Sequence, residues 1–274
     1  TEIYTLSLHD ALPILDLSFG FDKSFRISPD VTAQYIFSDS YIVYAKATGG
    51  KQLNDFRRLE SLCPYGDSYF STTSAELSNR RPYDTYEQLN ASLGLKASPY
   101  PGIWFQLFGG YQNLKNDLLY SYSSLSDTSI GTVSTMLAFT QIHTDNVYAG
   151  IKLTYDYKDV LSLSAHYIYR NWNSDNNEYL LAVKPENEAS ISLNVHPTSA
   201  LQLNAGFDYI SHKEEATSFN MSDISDLHIG ASYNVFKGVS VYAQVHNLLN
   251  KKYQYYLGYP AEGFNFLGGL SFRF

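Results

Sequence analysis

The sequence predicts an all-β protein, an antiparallel up-and-down sheet of the kind that forms a transmembrane β-barrel. Three observations carry this. Apolar and polar residues alternate with period 2 in segment after segment, tight turns alternate with long polar connections, and the chain holds 25 Tyr and 16 Phe beside 2 Trp. Alternation gives each strand one apolar and one polar face. The tyrosine excess suits a membrane interface, where the ring sits among acyl chains and the hydroxyl among headgroups.

The strands follow in order. The alternation fits 15–28, 31–39, 87–96, 102–113, 146–157 and 160–170, then 189–195, 201–209, 227–235, 239–246 and 265–274. The 102–113 segment is the weakest, because Trp104 and Phe108 fall on its polar face. Tight reversals are expected at Ser28-Pro29-Asp30, Ser98 to Gly102, Tyr157-Lys158-Asp159, His196 to Ser199 and Phe236-Lys237-Gly238. There Pro presets φ, and Gly or Asp tolerates unusual values of it. Five hairpins and a last strand give eleven strands. The intervening segments, near 49–84, 114–144, 172–187, 212–225 and 250–262, read as long polar loops. Short turns at one end and long loops at the other are the rule in outer-membrane barrels.

The polar face decides which kind of sheet this is. It carries Asp22, Arg26, Lys96, Lys152, Asp156, Arg170 and Asp208, as a wet lumen or a polar plug requires. Tyr155, Tyr157, Tyr167, Tyr169 and Tyr209 cluster toward strand ends, where aromatic girdles sit. A soluble sheet would bury one face in a core.

Composition removes several alternatives. A net charge of -8 argues against nucleic acid, which calls for a basic stripe. The single Cys63 excludes an intramolecular disulfide. No run of 18 apolar residues encodes a transmembrane helix, which leaves barrels open.

Residues 1–14, TEIYTLSLHDALPI, stand apart. They have no hydrophobic period and lack the basic start, apolar run and cleavage site of a signal peptide. They resemble the in-frame translation of a sequencing-library adapter. This non-native segment is therefore separated from the barrel domain at 15–274, and the true N-terminus is expected upstream of Leu15. Glu2 and Asp10 are its charged residues, so the remainder carries -6.

The last 36 residues read VSVYAQVHNLLNKKYQYYLGYPAEGFNFLGGLSFRF. Asn247, Leu248, Leu249, Asn250 and Tyr253 follow a strand, Gly258, Tyr259 and Pro260 mark the next loop, and a Gly-containing strand ends the chain. This stretch resembles the C-terminal end of TonB-dependent outer-membrane receptors. The resemblance covers about 36 residues in motif and the whole barrel segment in architecture. It implies a barrel of about 22 strands with a plugged lumen, of which these eleven are the second half. The stripe Phe264, Phe266, Leu270, Phe272 and Phe274 is then what the barrel-assembly machinery reads. Further implied partners are outer-membrane lipid, a small nutrient ligand, and TonB through an N-terminal plug region absent here. The implied location is the outer membrane of a Gram-negative bacterium.

No catalytic signature is present: G-x-S-x-G, H-E-x-x-H, P-loop and dinucleotide fingerprints are all missing. No catalytic, cofactor or metal residue is assigned, and the chain is read as a non-enzyme without a cofactor. His166, His196, His228 and His246 fall on polar strand faces and read as lumen-lining. Asn173 to Glu178 lacks the spacing and glycine of a calcium loop, which favours a solvated loop. The longest loop sets Arg57 and Arg58 near Tyr65 and Tyr69, a mixture suited to carboxylate, catecholate or sugar ligands and equally to an ordinary polar loop. The expected function is uptake of a scarce nutrient such as a siderophore, cobalamin-like cofactor, glycan or peptide. A passive porin is the alternative. The first and last strands of such a half-barrel are expected not to meet.

Overall fold

The computed structural model describes residues 14–19, 25–38, 40–66, 82–127, 132–175, 178–213 and 221–273. They form one antiparallel sheet of twelve strands in simple sequence order. The strands are β1 (Ile14–Phe19), β2 (Phe25–Ser38) and β3 (Tyr41–Gln52), then β4 (Thr85–Ala97), β5 (Ile103–Asp127) and β6 (Thr132–Tyr157). Next come β7 (Leu161–Asn173), β8 (Pro185–Val195), β9 (Leu201–His212), β10 (Ile224–Phe236) and β11 (Val239–His246). A small hairpin, β12 (Gln254–Tyr256) with β13 (Tyr259–Pro260), stands apart, and β14 (Asn265–Phe272) pairs with β11. Among the described residues, β1 and β14 are the two ends of the sheet and do not pair with each other. The fold class and the open sheet are as the sequence predicts.

The register keeps the two faces separate. On the outer face Leu163 is opposite Leu193, then Ala205, Ile229, Val245 and Phe266 across successive strands. Leu93, Ile191, Ile229, Phe266 and Leu270 are all exposed on this face. On the inner face Lys152, His166, Ser190, Asp208 and Asp226 form one cross-sheet row. Phe108, out of phase in the sequence, does turn inward. It packs where a Cβ on Gly150 would come within 2.6 Å of its ring, and Lys152 Nζ lies 5.7 Å over its centre.

Four of the five predicted tight turns are present. At two of them a glycine is required by both backbone and space. Gly102 and Gly238 each have φ of 84°, and a Cβ would meet Asp156 O at 2.3 Å or Arg273 O at 2.6 Å.

Three expectations are corrected. Ser28-Pro29-Asp30 is not a reversal but lies inside β2. Pro29 pairs with Leu15 of the terminal strand and sits one residue beyond the first β2–β3 pair, so its missing N–H costs the ladder little. The turn is instead at Ser38 to Tyr41, and it leads into β3, a strand outside the predicted set. Lastly, 114–144 is not a loop. β5 and β6 remain paired through it, for 25 and 26 residues. At about 3.3 Å per residue each spans roughly 80 Å, far beyond a hydrocarbon core of about 30 Å. Ile14 begins β1, and the rest of the adapter-like segment lies outside the described residues.

Candidate functional site

The features that could meet a solute lie at the loop end, where the projecting β5–β6 hairpin, the long connections and the upper inner face converge. Helix α1 (Phe56–Leu62) opens the first long connection, with Asp55 as its cap accepting from Arg58 N at 3.0 Å. Its Leu59, with Cys63, packs against Leu118, Tyr120, Leu137 and Phe139 of the hairpin. Met221 and Leu257, from two later connections, complete that cluster. Burial pushes the Cys63 thiol up from its ordinary value, partly countered by backbone N–H groups of Tyr65 and Gly66. A second cluster joins Leu114, Leu119 and Trp172 to Leu180 and Leu181 of a 3-10 helix, Glu178–Val183. The loop end is thus a packed cap with its own core.

Polar contacts fix the cap to the sheet. Asp117, 2% exposed, accepts from Thr144 Oγ1 at 2.8 Å and pairs with Lys184 Nζ at 2.6 Å. Lys184 also lies 4.3 Å over the Trp172 ring. Asn54 donates to Tyr83 O at 2.7 Å and to Thr85 Oγ1, which donates to Asn116 O at 2.7 Å. Asn116 has φ of 55° at the β5 bulge, where the register shifts between Leu114 and Asp117.

The predicted loop residues divide. Arg58 turns to the protein, donating to Gln52 Oε1. Burial draws it down from its usual value, countered by Asp117 and Asp55. Arg57 is exposed. Tyr65 stacks on Tyr259 with centroids 3.7 Å apart and planes at 7°, and meets Tyr256 edge-on. Tyr69 lies outside the described residues.

The motif residues form the last connection. Asn247, 2% exposed with φ of 47°, donates through Nδ2 to Lys251 O at 2.9 Å and Glu262 O at 3.0 Å. Its Oδ1 accepts from Lys251 N at 2.9 Å. Asn250, φ 48°, accepts from Phe264 N at 3.1 Å, and Leu248 N donates to Leu227 O at 2.8 Å. Leu248 and Leu249 are exposed, and Tyr253 is buried. Gly258, φ 81°, leaves room for the Tyr122 hydroxyl, and Tyr259 and Pro260 form β13. Phe264, Phe266, Leu270 and Phe272 are exposed along the terminal strand and the bend before it, while Phe274 lies outside the described residues.

Directly beneath this connection the inner face holds a group that sequence reading did not assemble. Asn247 N donates to Asp226 Oδ1 at 2.7 Å. Asp226, His228 and His246 each offer a ligand atom, all within 4.8 Å of one another. The two imidazoles stack with centroids 5.6 Å apart, and His228 Nδ1 is 3.8 Å from Asp208 Oδ2. The signal was present in part: Asp226 and His228 share a strand face, but His228 and His246 are brought level only by the register shift between Asn234 and Phe236. His166 sits elsewhere, 3.7 Å from Glu188, which also pairs with Arg170 at 2.7 Å. His196 is at the tight-turn end, with its N–H on Val160 O.

No known family model matches this sequence, and no characterised protein matches it. Solved structures do match. The copper transporter OprC superposes with a TM-score of 0.63 at 15% identity, covering 92% of this chain and 40% of that one. The siderophore receptor PirA from Pseudomonas aeruginosa gives 0.61 at 14% identity, covering 95% and 44%. The ferric-catecholate import receptor Fiu from E. coli K12 gives 0.59 at 14%, covering 92% and 35%. The chain thus spans less than half the length of each. Its fold matches part of the strand wall of these structures.

Proposed function

We propose that this chain is part of the barrel of an outer-membrane receptor that imports a scarce nutrient, its tight turns periplasmic and its capped loop end extracellular. The observation that carries the reading is the packed cap. Four separate connections meet the β5–β6 hairpin in one apolar cluster, through Leu59, Val183, Met221 and Leu257. Connections that only joined strands in water would have no reason to share a core. A shared core steadies the segments that carry Arg57, Tyr65 and Tyr259, which suits capture of a specific ligand. The matched structures support the same class, since they include a ferric-catecholate import receptor, a siderophore receptor and a copper transporter. TonB, the plug that it would act on and the barrel-assembly machinery belong to the proposal for the whole protein, as does the reading of this chain as its C-terminal half.

The test is uptake in the host. Deleting the gene should abolish growth on one limiting nutrient within a panel of ferric siderophores, corrinoids, glycans and peptides. Deleting TonB should give the same loss. Uptake that falls on gene deletion but persists without TonB would overturn the receptor reading in favour of a passive porin.

A further inference from the structure

We propose that Asp226, His228 and His246 bind a divalent first-row transition-metal ion of the zinc or copper class, on the inner face beneath the last long connection. Two imidazoles and one carboxylate suit these ions far better than magnesium or calcium, which prefer oxygen alone. The three ligand atoms lie within 4.8 Å of one another. Ligands about 2.1 Å from a tetrahedral ion are about 3.4 Å apart, so binding would draw the three side chains together.

Four further observations point the same way. Asp208 and Asp226 are directly opposite on adjacent strands, an arrangement that repels unless a cation relieves it. Asp226 is 8% exposed and uses one oxygen on Asn247 N, which leaves the other to coordinate. His228 Nδ1 is shielded from solvent without a hydrogen-bond partner among the described residues, 3.8 Å from Asp208 Oδ2. Asp208 therefore adds negative charge beside the imidazole, which favours a cation held there. Finally, Gly206 faces His228, and a Cβ there would come within 2.2 Å of Nε2, so the ring occupies space that only glycine leaves. Three protein ligands leave a coordination position open to water or to a donor atom of an arriving solute.

The site is a statement about binding and does not depend on transport, so it and the receptor reading can fail separately. The experiment uses the full-length gene product, extracted from outer membranes into detergent and stripped with chelator. Cobalt(II) titration should give visible absorption bands saturating at one ion per chain, displaced by zinc(II). Asp208→Asn should weaken binding by about 10- to 100-fold, and His228→Gln or His246→Gln by more, while His166→Gln changes nothing. Should a variant lose the heat-modifiable migration of a folded barrel, the unaltered protein still decides. Its copper(II) paramagnetic resonance spectrum should show coupling to two imidazole nitrogens. No cobalt uptake, uptake unchanged by both histidine substitutions, or a copper spectrum without two nitrogens would overturn the proposal.

Discussion

Single side chains hold the loop end together, and Asp117 is the clearest case. Its carboxylate is 2% exposed, pairs with Lys184 at 2.6 Å and accepts from Thr144. Removing one partner of a buried pair leaves the other charge uncompensated, at a cost of about 3–5 kcal/mol. Asp117→Asn in the full-length protein should therefore loosen the cap, seen as faster amide exchange in 178–184, and Asp117→Leu with Lys184→Met should restore much of the loss.

At the level of elements, the sequence was readable wherever one face is apolar and the other polar, as in β8 to β11. It failed where that contrast is absent. In β3 the outward residues are Tyr41, Val43, Ala45 and Ala47, and the inward ones Ile42, Tyr44, Lys46 and Thr48, so apolar residues occur on both faces. In the hairpin extension Leu118, Leu119, Tyr120, Leu137, Ala138 and Phe139 are buried consecutively, because α1 and later connections cover what would be a bare face. Period-2 contrast vanishes there for a physical reason. The site divides likewise: the motif around Asn247 was visible as a local string, whereas Asp226 with His246 needed the register. Asn247 gives the test of the last connection. Asn247→Ala would strand two carbonyls and put a Cβ residue without the amide at φ 47°. Each unsatisfied buried group costs about 1–3 kcal/mol. Thermal unfolding of the full-length barrel should shift down, with Asn247→Asp retaining the Lys251 N contact and losing less.

The whole sheet is governed by its edges. Residues 1–14 lead into the outermost strand, and if they derive from an adapter, genomic reads across the locus will show other codons upstream of Leu15. The same fourteen codons in the native gene would dismiss that origin. At the far side, β14 presents one row of backbone groups to β11 and none to β1. Lipid cannot hydrogen-bond a free N–H or C=O, so only closed barrels and helices are stable across a membrane. Closing these twelve strands on themselves would bring the inner rows into a small lumen. Those rows carry Lys96, Lys152, Arg170, Asp208 and Asp226, where a narrow barrel needs packed side chains. The 274-residue chain expressed by itself should therefore aggregate or be degraded, and should not give a heat-modifiable band in outer-membrane fractions. The same residues within a full-length barrel should give that heat-modifiable band. Amide exchange provides the finer discrimination in detergent. If the isolated chain protects Phe266 to Phe272 as strongly as Val239 to Val245, then β14 has found a second partner, and a complete small barrel would replace the open wall.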